Sequence, residues 1–139
     1  YEIEKALIEG SLEAKDIPAT WNDLYFKYMG IRPDSDKTGV LQDVHWSHGM
    51  FGYFPTYSLG SFYAAQFFEQ AGKDVPGLTA QLQSGDLAPL LHWLREHIHE
   101  HGRRYTSEEL CKKITGKGLD FASFMQYAEK KYSEVYEFK

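Results

Sequence analysis

Apolar residues at helical spacing, followed at intervals by glycine, run through almost the entire sequence. The clearest stripe has members three or four positions apart and ends at Gly102: Leu87, Leu91, Leu94 and Ile98. Apolar residues at this spacing share one face of an α-helix, and a glycine placed after them is a common terminator. Glycines follow the other helical patterns in the same way: Gly10, Gly30, Gly72 and Gly116. The sequence therefore predicts an all-α fold.

Capping residues locate three helix starts. Asp16 precedes Pro18, and a capping residue with a proline in the first turn is typical of a helix N-terminus. Thr106 and Glu109 form the T-x-x-E pattern of a capping box. Asp120 stands before a last apolar pattern, which we expect it to cap.

Charge and composition exclude several classes of protein. The chain has 139 residues and a net charge of −5 without a basic stripe, which argues against a nucleic-acid partner. No apolar run approaches the roughly 20 residues that cross a membrane. The one cysteine, Cys111, excludes an internal disulfide and fits a reducing compartment, so we expect a cytoplasmic protein. With no internal repeat or boundary, we expect a single domain over residues 1–139.

The first ten residues, YEIEKALIEG, predict that the chain is a fragment of a longer one. Ile3, Ala6 and Leu7 have helical spacing, but no capping residue precedes them and there is no initiator methionine. We therefore interpret this stretch as a helix cut in its middle.

Residues 97–101, HIHEH, offer one candidate metal site. They match the H-x-x-E-H pattern of the inverted zincins, in which two histidines four apart bind zinc and the glutamate activates water. His97, Glu100 and His101 would then make a self-contained zinc hydrolase. We favour the alternative that they are ordinary polar residues of a last helical turn, where histidine interacts favourably with the helix dipole.

Segment 39–60, GVLQDVHWSHGMFGYFPTYSLG, is unusually rich in glycine, histidine and aromatic residues. From residue types alone, His48, Tyr53 and Tyr57 would be interpreted as an aromatic cluster of the core. Another class of function is also open: a helical binding or dimerisation module whose aromatic surface engages a partner.

Residues 39–46, GVLQDVHW, match the G-x-x-Q-D-x-H-W signature of the thermostable (Taq-type) zinc carboxypeptidases. The chain resembles this family from YEIEKALIEGSLEAKDIPATWND through SHGMFGYFPTYSLGSFYAAQ and into the last helix. The family's H-E-x-x-H, H-P-F, D-x-R-x-T and I-R-x-x-A-D motifs and its downstream glutamate ligand are absent, and all lie N-terminal to this region. The resemblance therefore implies the helical C-terminal part of such an enzyme.

The resemblance also implies a function. The parent would be a zinc-dependent carboxypeptidase that releases amino acids from peptide C-termini, with its zinc bound by the N-terminal part. This fragment would hold no metal ligand and would be inactive alone. Its expected partners are peptide C-termini, the N-terminal part of the same enzyme and a second copy in a homodimer.

Segment 39–60 is implied to form one wall of the active-site groove, made flexible by Gly49, Gly52 and Gly60. A similar His-to-Tyr-to-Tyr spacing occurs in the related thimet-type oligopeptidases. By this resemblance His48 and Tyr57 stabilise the transition state, and a further set binds substrate: His45, Tyr53, Gln42 and Asp43. The structural alternative is that Gln42 and Asp43 brace the loop or orient a neighbouring histidine, and that His45 is a buried histidine with satisfied hydrogen bonds.

Overall fold

The computed structural model describes residues 1–137, and in this range the chain is helical without a β-strand. Its α-helices are α1 Glu2–Ile8, α2 Ile17–Met29, α3 Pro55–Asp74, α4 Leu78–Gln83, α5 Ala88–His97, α6 Ser107–Thr115 and α7 Phe121–Tyr136. Short 3-10 turns lie at Ala14–Asp16, Val40–Gln42, Trp46–His48 and His99–His101. The predicted all-α fold is confirmed. None of the described helices is long and apolar enough to cross a membrane.

Two of the three predicted caps form as expected. The Thr106 hydroxyl accepts from the Glu109 backbone N–H at 3.3 Å, and the Glu109 carboxylate accepts from the Thr106 N–H at 2.8 Å. Asp120 Oδ1 accepts from the Ala122 N–H at 3.0 Å. Asp16 precedes α2, but its side chain accepts no hydrogen bond from the helix. Its backbone is already helical because it continues the turn Ala14–Asp16, whereas a capping side chain is normally carried on extended backbone.

Glycine ends some helices and not others. Gly30 and Gly116 adopt the left-handed conformation that closes α2 and α6, as predicted. Gly72 lies inside α3, which continues to Asp74. Gly102 does not end α5 directly, because the helix stops at His97 and a 3-10 turn intervenes.

The chain divides within α3 into two compact units, Tyr1–Ser58 and a second that begins at Leu59. In the first unit, Ile3 and Val40 are the buried apolar residues among those described, and Glu4 is buried beside Ile3. Since the boundary falls within a continuous helix, a single domain over 1–139 stays a prediction.

The second unit has its core where α3, α4 and α5 meet. Ala71, Leu78 and Trp93 are buried there, and Leu94 and Ile98 pack against them. The predicted stripe was wrong in part, because Leu87 and Leu91 are exposed. The buried face of α5 is centred instead on Trp93, whose large indole packs on α3 and α4 and donates to Asp74 Oδ2 at 2.9 Å.

Gln66 of α3 anchors the connection between α6 and α7. Its amide nitrogen donates to Thr115 Oγ1 and to the Gly118 carbonyl, both at 3.0 Å, and its amide oxygen accepts from the Asp120 N–H at 2.8 Å. The side chain is buried, so these bonds form away from water. One residue therefore fixes the start of α7 against α3.

We expect Gln66→Leu to lower the free energy of unfolding by roughly 2 kcal/mol, because it leaves partly buried backbone groups of Gly118 and Asp120 without these partners. Urea unfolding followed by circular dichroism measures the change. Gln83→Leu, an exposed position on α4, is the control and should change the free energy by less than about 0.5 kcal/mol. Equal effects of the two substitutions would contradict this role of Gln66.

Candidate active-site segment

Gly39 and Gln42 hold the beginning of segment 39–60 against the preceding loop. A Cβ at Gly39 would lie 3.1 Å from the Ser35 carbonyl oxygen and 3.2 Å from Pro33 Cβ, so the close approach of the two stretches favours glycine. Gln42 Nε2 donates to the Lys37 carbonyl at 2.5 Å. The side chain of Gln42 therefore braces the loop, and its substrate-binding role stays a prediction.

Asp43 fixes the ring of His45. Its Oδ1 accepts from the backbone N–H of His45 at 3.0 Å and lies 2.8 Å from the imidazole Nδ1. A carboxylate can only accept, so Nδ1 carries the hydrogen and Nε2 of the neutral ring is left as an acceptor. The hydroxyl oxygen of Tyr57 lies 3.5 Å from that Nε2. Asp43, His45 and Tyr57 thus form a row that runs from a largely buried carboxylate to a half-exposed phenol.

Three aromatic rings surround His45. Tyr53 stacks on the imidazole at 5.4 Å between ring centroids, while Phe54 and Tyr57 meet it edge-on at 5.4 and 5.8 Å. Tyr53 and Tyr57 also contact each other, at 5.6 Å. The three rings are 44–55% exposed in this chain. We call His45, Tyr53, Phe54 and Tyr57 the aromatic cluster.

The surroundings of Tyr57 shift the pKa of its phenol. Desolvation raises its pKa above the usual value of 10, and the neighbouring Tyr53 raises the pKa further. A phenol keeps its hydrogen at neutral pH even without this shift, so Tyr57 can act as a hydrogen-bond donor.

His48 lies outside the aromatic cluster. It ends the turn Trp46–His48, and Gly49 and Gly52 follow with positive φ angles of 71° and 75°. The imidazole is exposed and has no hydrogen-bond or ring partner within residues 1–137. The expectation that Gly60 adds flexibility was wrong, because Gly60 lies inside α3.

A cavity of about 580 Å³ lies in the first unit next to segment 39–60. Its lining is mostly apolar and comes from α1, α2 and the side chains of Gln42, Asp43, Trp46 and Phe54. Neither His45 nor the two tyrosines of the aromatic cluster line it. Asp43 and Phe54 therefore line the cavity, whereas the hydroxyl groups of Tyr53 and Tyr57 lie apart from it.

The H-x-x-E-H residues do not share a continuous helical face. α5 ends at His97, which stacks on Trp93 at 4.6 Å and whose Nδ1 lies 3.0 Å from the Trp93 carbonyl oxygen. His101 follows the break on a 3-10 turn and packs against Tyr105 at 5.4 Å. Among the residues that the structure describes, no three His, Cys, Asp or Glu side chains are placed to hold a metal ion.

Comparison with known protein families identifies the family of this chain. The family model described as Carboxypeptidase Taq (M32) metallopeptidase matches residues 1–132. The chain belongs to this family. The family resemblance seen in the sequence is thereby confirmed.

Relatives of this M32 chain are carboxypeptidases of much greater length. It is 43% identical over 136 residues to "Carboxypeptidase 1" of Bacillus subtilis strain 168, covering 98% of this chain and 27% of the relative. It is 42% identical to "Thermostable carboxypeptidase 1" of Thermus thermophilus, covering 97% and 26%. The chain thus spans about a quarter of the length of these relatives.

Solved structures agree with the M32 assignment. The M32 carboxypeptidase from Deinococcus radiodurans R1 matches with a TM-score of 0.95 and 37% identity, over 99% of this chain and 28% of that one. Trypanosoma cruzi metallocarboxypeptidase 1 matches with a TM-score of 0.89 and 40% identity, over 95% and 28%.

Glu4 contacts the M32 signature segment but was not predicted from the sequence. It lies on α1, and its Oε1 accepts from the Trp46 indole at 3.1 Å and from the Gly52 backbone N–H at 2.9 Å. In the sequence it is one of several acids on a short helix, and no local pattern separates it from Glu2 or Glu9.

We expect that in Asp43→Asn the His45 ring is no longer restricted to the tautomer with its hydrogen on Nδ1. The asparagine side chain can present either its oxygen or its amide group, so the imidazole no longer needs its hydrogen on Nδ1. Nitrogen-15 NMR of the His45 ring should change from the Nδ1–H form to a mixture. Asp34→Asn, at an exposed loop position, should leave the spectrum unchanged, and an unchanged His45 tautomer in Asp43→Asn would contradict the assignment.

Proposed function

We propose that this chain is the C-terminal part of a zinc-dependent carboxypeptidase and that segment 39–60 forms one wall of its active-site groove. The enzyme would release amino acids from the C-termini of peptides. Support comes from the family match over residues 1–132 and from relatives named carboxypeptidases. The observation that carries the proposal is the row of Asp43, His45 and Tyr57, which places a phenol at the exposed edge of the segment.

The described residues of this chain do not provide a zinc site, since no group of three suitable ligands is present among them. We therefore assign zinc binding to the remainder of the enzyme. A cytoplasmic location is proposed as well, because the one cysteine, Cys111, is a buried free thiol.

Tyr57 is the proposed donor to the oxygen that gains negative charge when the peptide carbonyl is attacked. Preorganised donors at such a position stabilise the transition state more than the bound substrate. The Tyr57 hydroxyl fits this task because its ring is held by His45 and Tyr53, and in this proposal its one hydrogen turns from His45 Nε2, 3.5 Å away, to the substrate oxygen. His48 is proposed as a second donor, supplied from the exposed turn that Gly49 ends.

The substrate-binding residues divide into two groups in this proposal. Tyr53 and His45 belong to the aromatic cluster, and the half-exposed ring of Tyr53 can contact a peptide. Asp43 and Gln42 act behind them, since Asp43 orients the imidazole and Gln42 holds the loop.

The remainder of the same enzyme is the proposed covering for the apolar surface of the first unit. The end of α2 exposes large apolar side chains: Tyr25, Phe26, Tyr28 and Met29. Three of these also line the 580 Å³ cavity. Contiguous exposed apolar surface of this kind usually marks a contact with another part of a protein, which also leaves a homodimer as a proposed partner.

We expect Tyr57→Phe in the full-length enzyme to lower kcat by about 100-fold, because one donor to the transition state is lost while the ring remains. KM and zinc content should change little. Tyr25→Phe removes an exposed phenol of α2 and is the control, with kcat expected near the unsubstituted value. Hydrolysis of a blocked dipeptide measures both constants, and a near-normal kcat in Tyr57→Phe and His48→Ala would defeat the donor assignment.

The isolated 139-residue chain is expected to bind no stoichiometric zinc and to release no C-terminal amino acids, since the proposal places the metal ligands elsewhere. Elemental analysis and an amino-acid release assay test this. One tightly bound zinc per chain, lost in the His97→Ala and His101→Ala variants, would instead support a self-contained hydrolase.

A further inference from the structure

Glu4 joins the two ends of the loop that carries His48. Its Oε1 accepts hydrogen bonds from the Trp46 indole and from the Gly52 backbone N–H, at 3.1 and 2.9 Å. Trp46 directly follows His45, and Gly52 directly precedes Tyr53. A single carboxylate oxygen therefore ties together the neighbours of the two rings that stack at 5.4 Å.

Stability alone does not account for a glutamate at this position. The Glu4 side chain is 6% exposed, and its second oxygen, Oε2, is buried without a hydrogen-bond partner in residues 1–137. Burying a carboxylate with an unmatched oxygen costs free energy, and a well-packed apolar side chain would avoid that cost.

The two ends of the loop depend on Glu4 to different degrees. The first half is closed by its own backbone, where Met50 N–H donates to the His45 carbonyl and Gly49 N–H to the Trp46 carbonyl, both at 3.0 Å. Trp46 is further held by stacking on Phe51 at 6.1 Å. The Gly52 N–H has Glu4 as its acceptor in the structure. Loss of the carboxylate would therefore release chiefly the end of the loop that leads into Tyr53.

We propose that Glu4 is a positioning residue for the carboxypeptidase reaction. By fixing Gly52 it sets the place of Tyr53 against His45, and the Tyr53 ring in turn contacts Tyr57 at 5.6 Å. Glu4 does not touch the substrate in this role, which rests on the proposed function. A displacement of about 1 Å at a catalytic group can lower a rate about 100-fold, so a remote tether of this kind is sufficient to affect turnover.

The test uses three variants of the full-length enzyme: Glu4→Leu, Glu4→Gln and the control Glu9→Gln. Glu9 lies just after the same helix and forms an exposed ion pair with Lys5, so it shares the location of Glu4 without its contacts. Amide hydrogen exchange of peptides that cover Gly52 reports the tether, and kcat and KM on a blocked dipeptide report its consequence.

In Glu4→Leu, we expect exchange at Gly52 to be at least about 10-fold faster and kcat to fall by about 10-fold or more, with KM raised because Tyr53, the proposed peptide contact, is displaced as well. Glu4→Gln keeps an acceptor oxygen, although a weaker one than a carboxylate, and should restore kcat to within about 3-fold with intermediate exchange. Glu9→Gln should match the unsubstituted enzyme in every measurement.

Several outcomes would overturn the role of Glu4. A folded Glu4→Leu enzyme with unchanged exchange at Gly52 or unchanged kcat defeats it. If Glu4→Leu does not fold, Glu4→Gln decides, and exchange and kcat equal to those of the unsubstituted enzyme defeat the role. An unsubstituted enzyme without carboxypeptidase activity would defeat the proposed function itself, whereas an active enzyme insensitive to these changes would defeat the role of Glu4 alone.

Discussion

The hydrogen bonds that Asp43 accepts from His45 are the constraint on which the geometry of the segment depends. One carboxylate oxygen binds both the backbone N–H and the imidazole of the same residue, which fixes the backbone angle and the ring together. Hydrogen bonds to an ionised carboxylate are the stronger kind, and these lie where water has little access. The other three rings of the aromatic cluster, Tyr53, Phe54 and Tyr57, all contact the imidazole that is held in this way.

Two carboxylates from different parts of the chain, Asp43 and Glu4, therefore hold the segment that carries the aromatic cluster. Asp43 acts from within the segment, and Glu4 acts on its far end from α1. Gly49 and Gly52 both have positive φ angles, and the Gly52 end of this loop is held by the bond to Glu4, whereas the Gly49 end is closed by its own backbone. Rigid presentation of donors is what transition-state stabilisation requires, because a donor that must reorganise during the reaction loses much of its benefit.

Sequence patterns predicted those features that are decided within one or two helical turns. The capping box of Thr106 and Glu109 and the terminators Gly30 and Gly116 are of this kind, because each signal and its partner lie close together in the chain. The prediction that Leu87 and Leu91 are buried was wrong, because spacing identifies an apolar face but not the neighbour that will cover it. The buried face of α5 is the one that carries the indole of Trp93.

The site shows the same limit. The signature G-x-x-Q-D-x-H-W located the segment, and the pairing of Asp43 with His45 spans only two residues. The bond from Gly52 to Glu4 spans 48 residues and uses a backbone N–H, which leaves no trace in the pattern of side chains. His48 was grouped with the tyrosines by spacing, yet the turn that ends at Gly49 carries it away from their rings.

The three tryptophans are divided between the two compact units. Trp21 and Trp46 meet edge-to-face at 6.1 Å in the first unit, and Trp93 lies against the His97 ring in the second. Indole emission depends on solvent contact and on neighbouring groups, so each unit carries its own optical probe. A chain that retains Trp93 alone would show whether loss of the core around α5 coincides with loss of the helical signal as a whole, which distinguishes one cooperative transition from two.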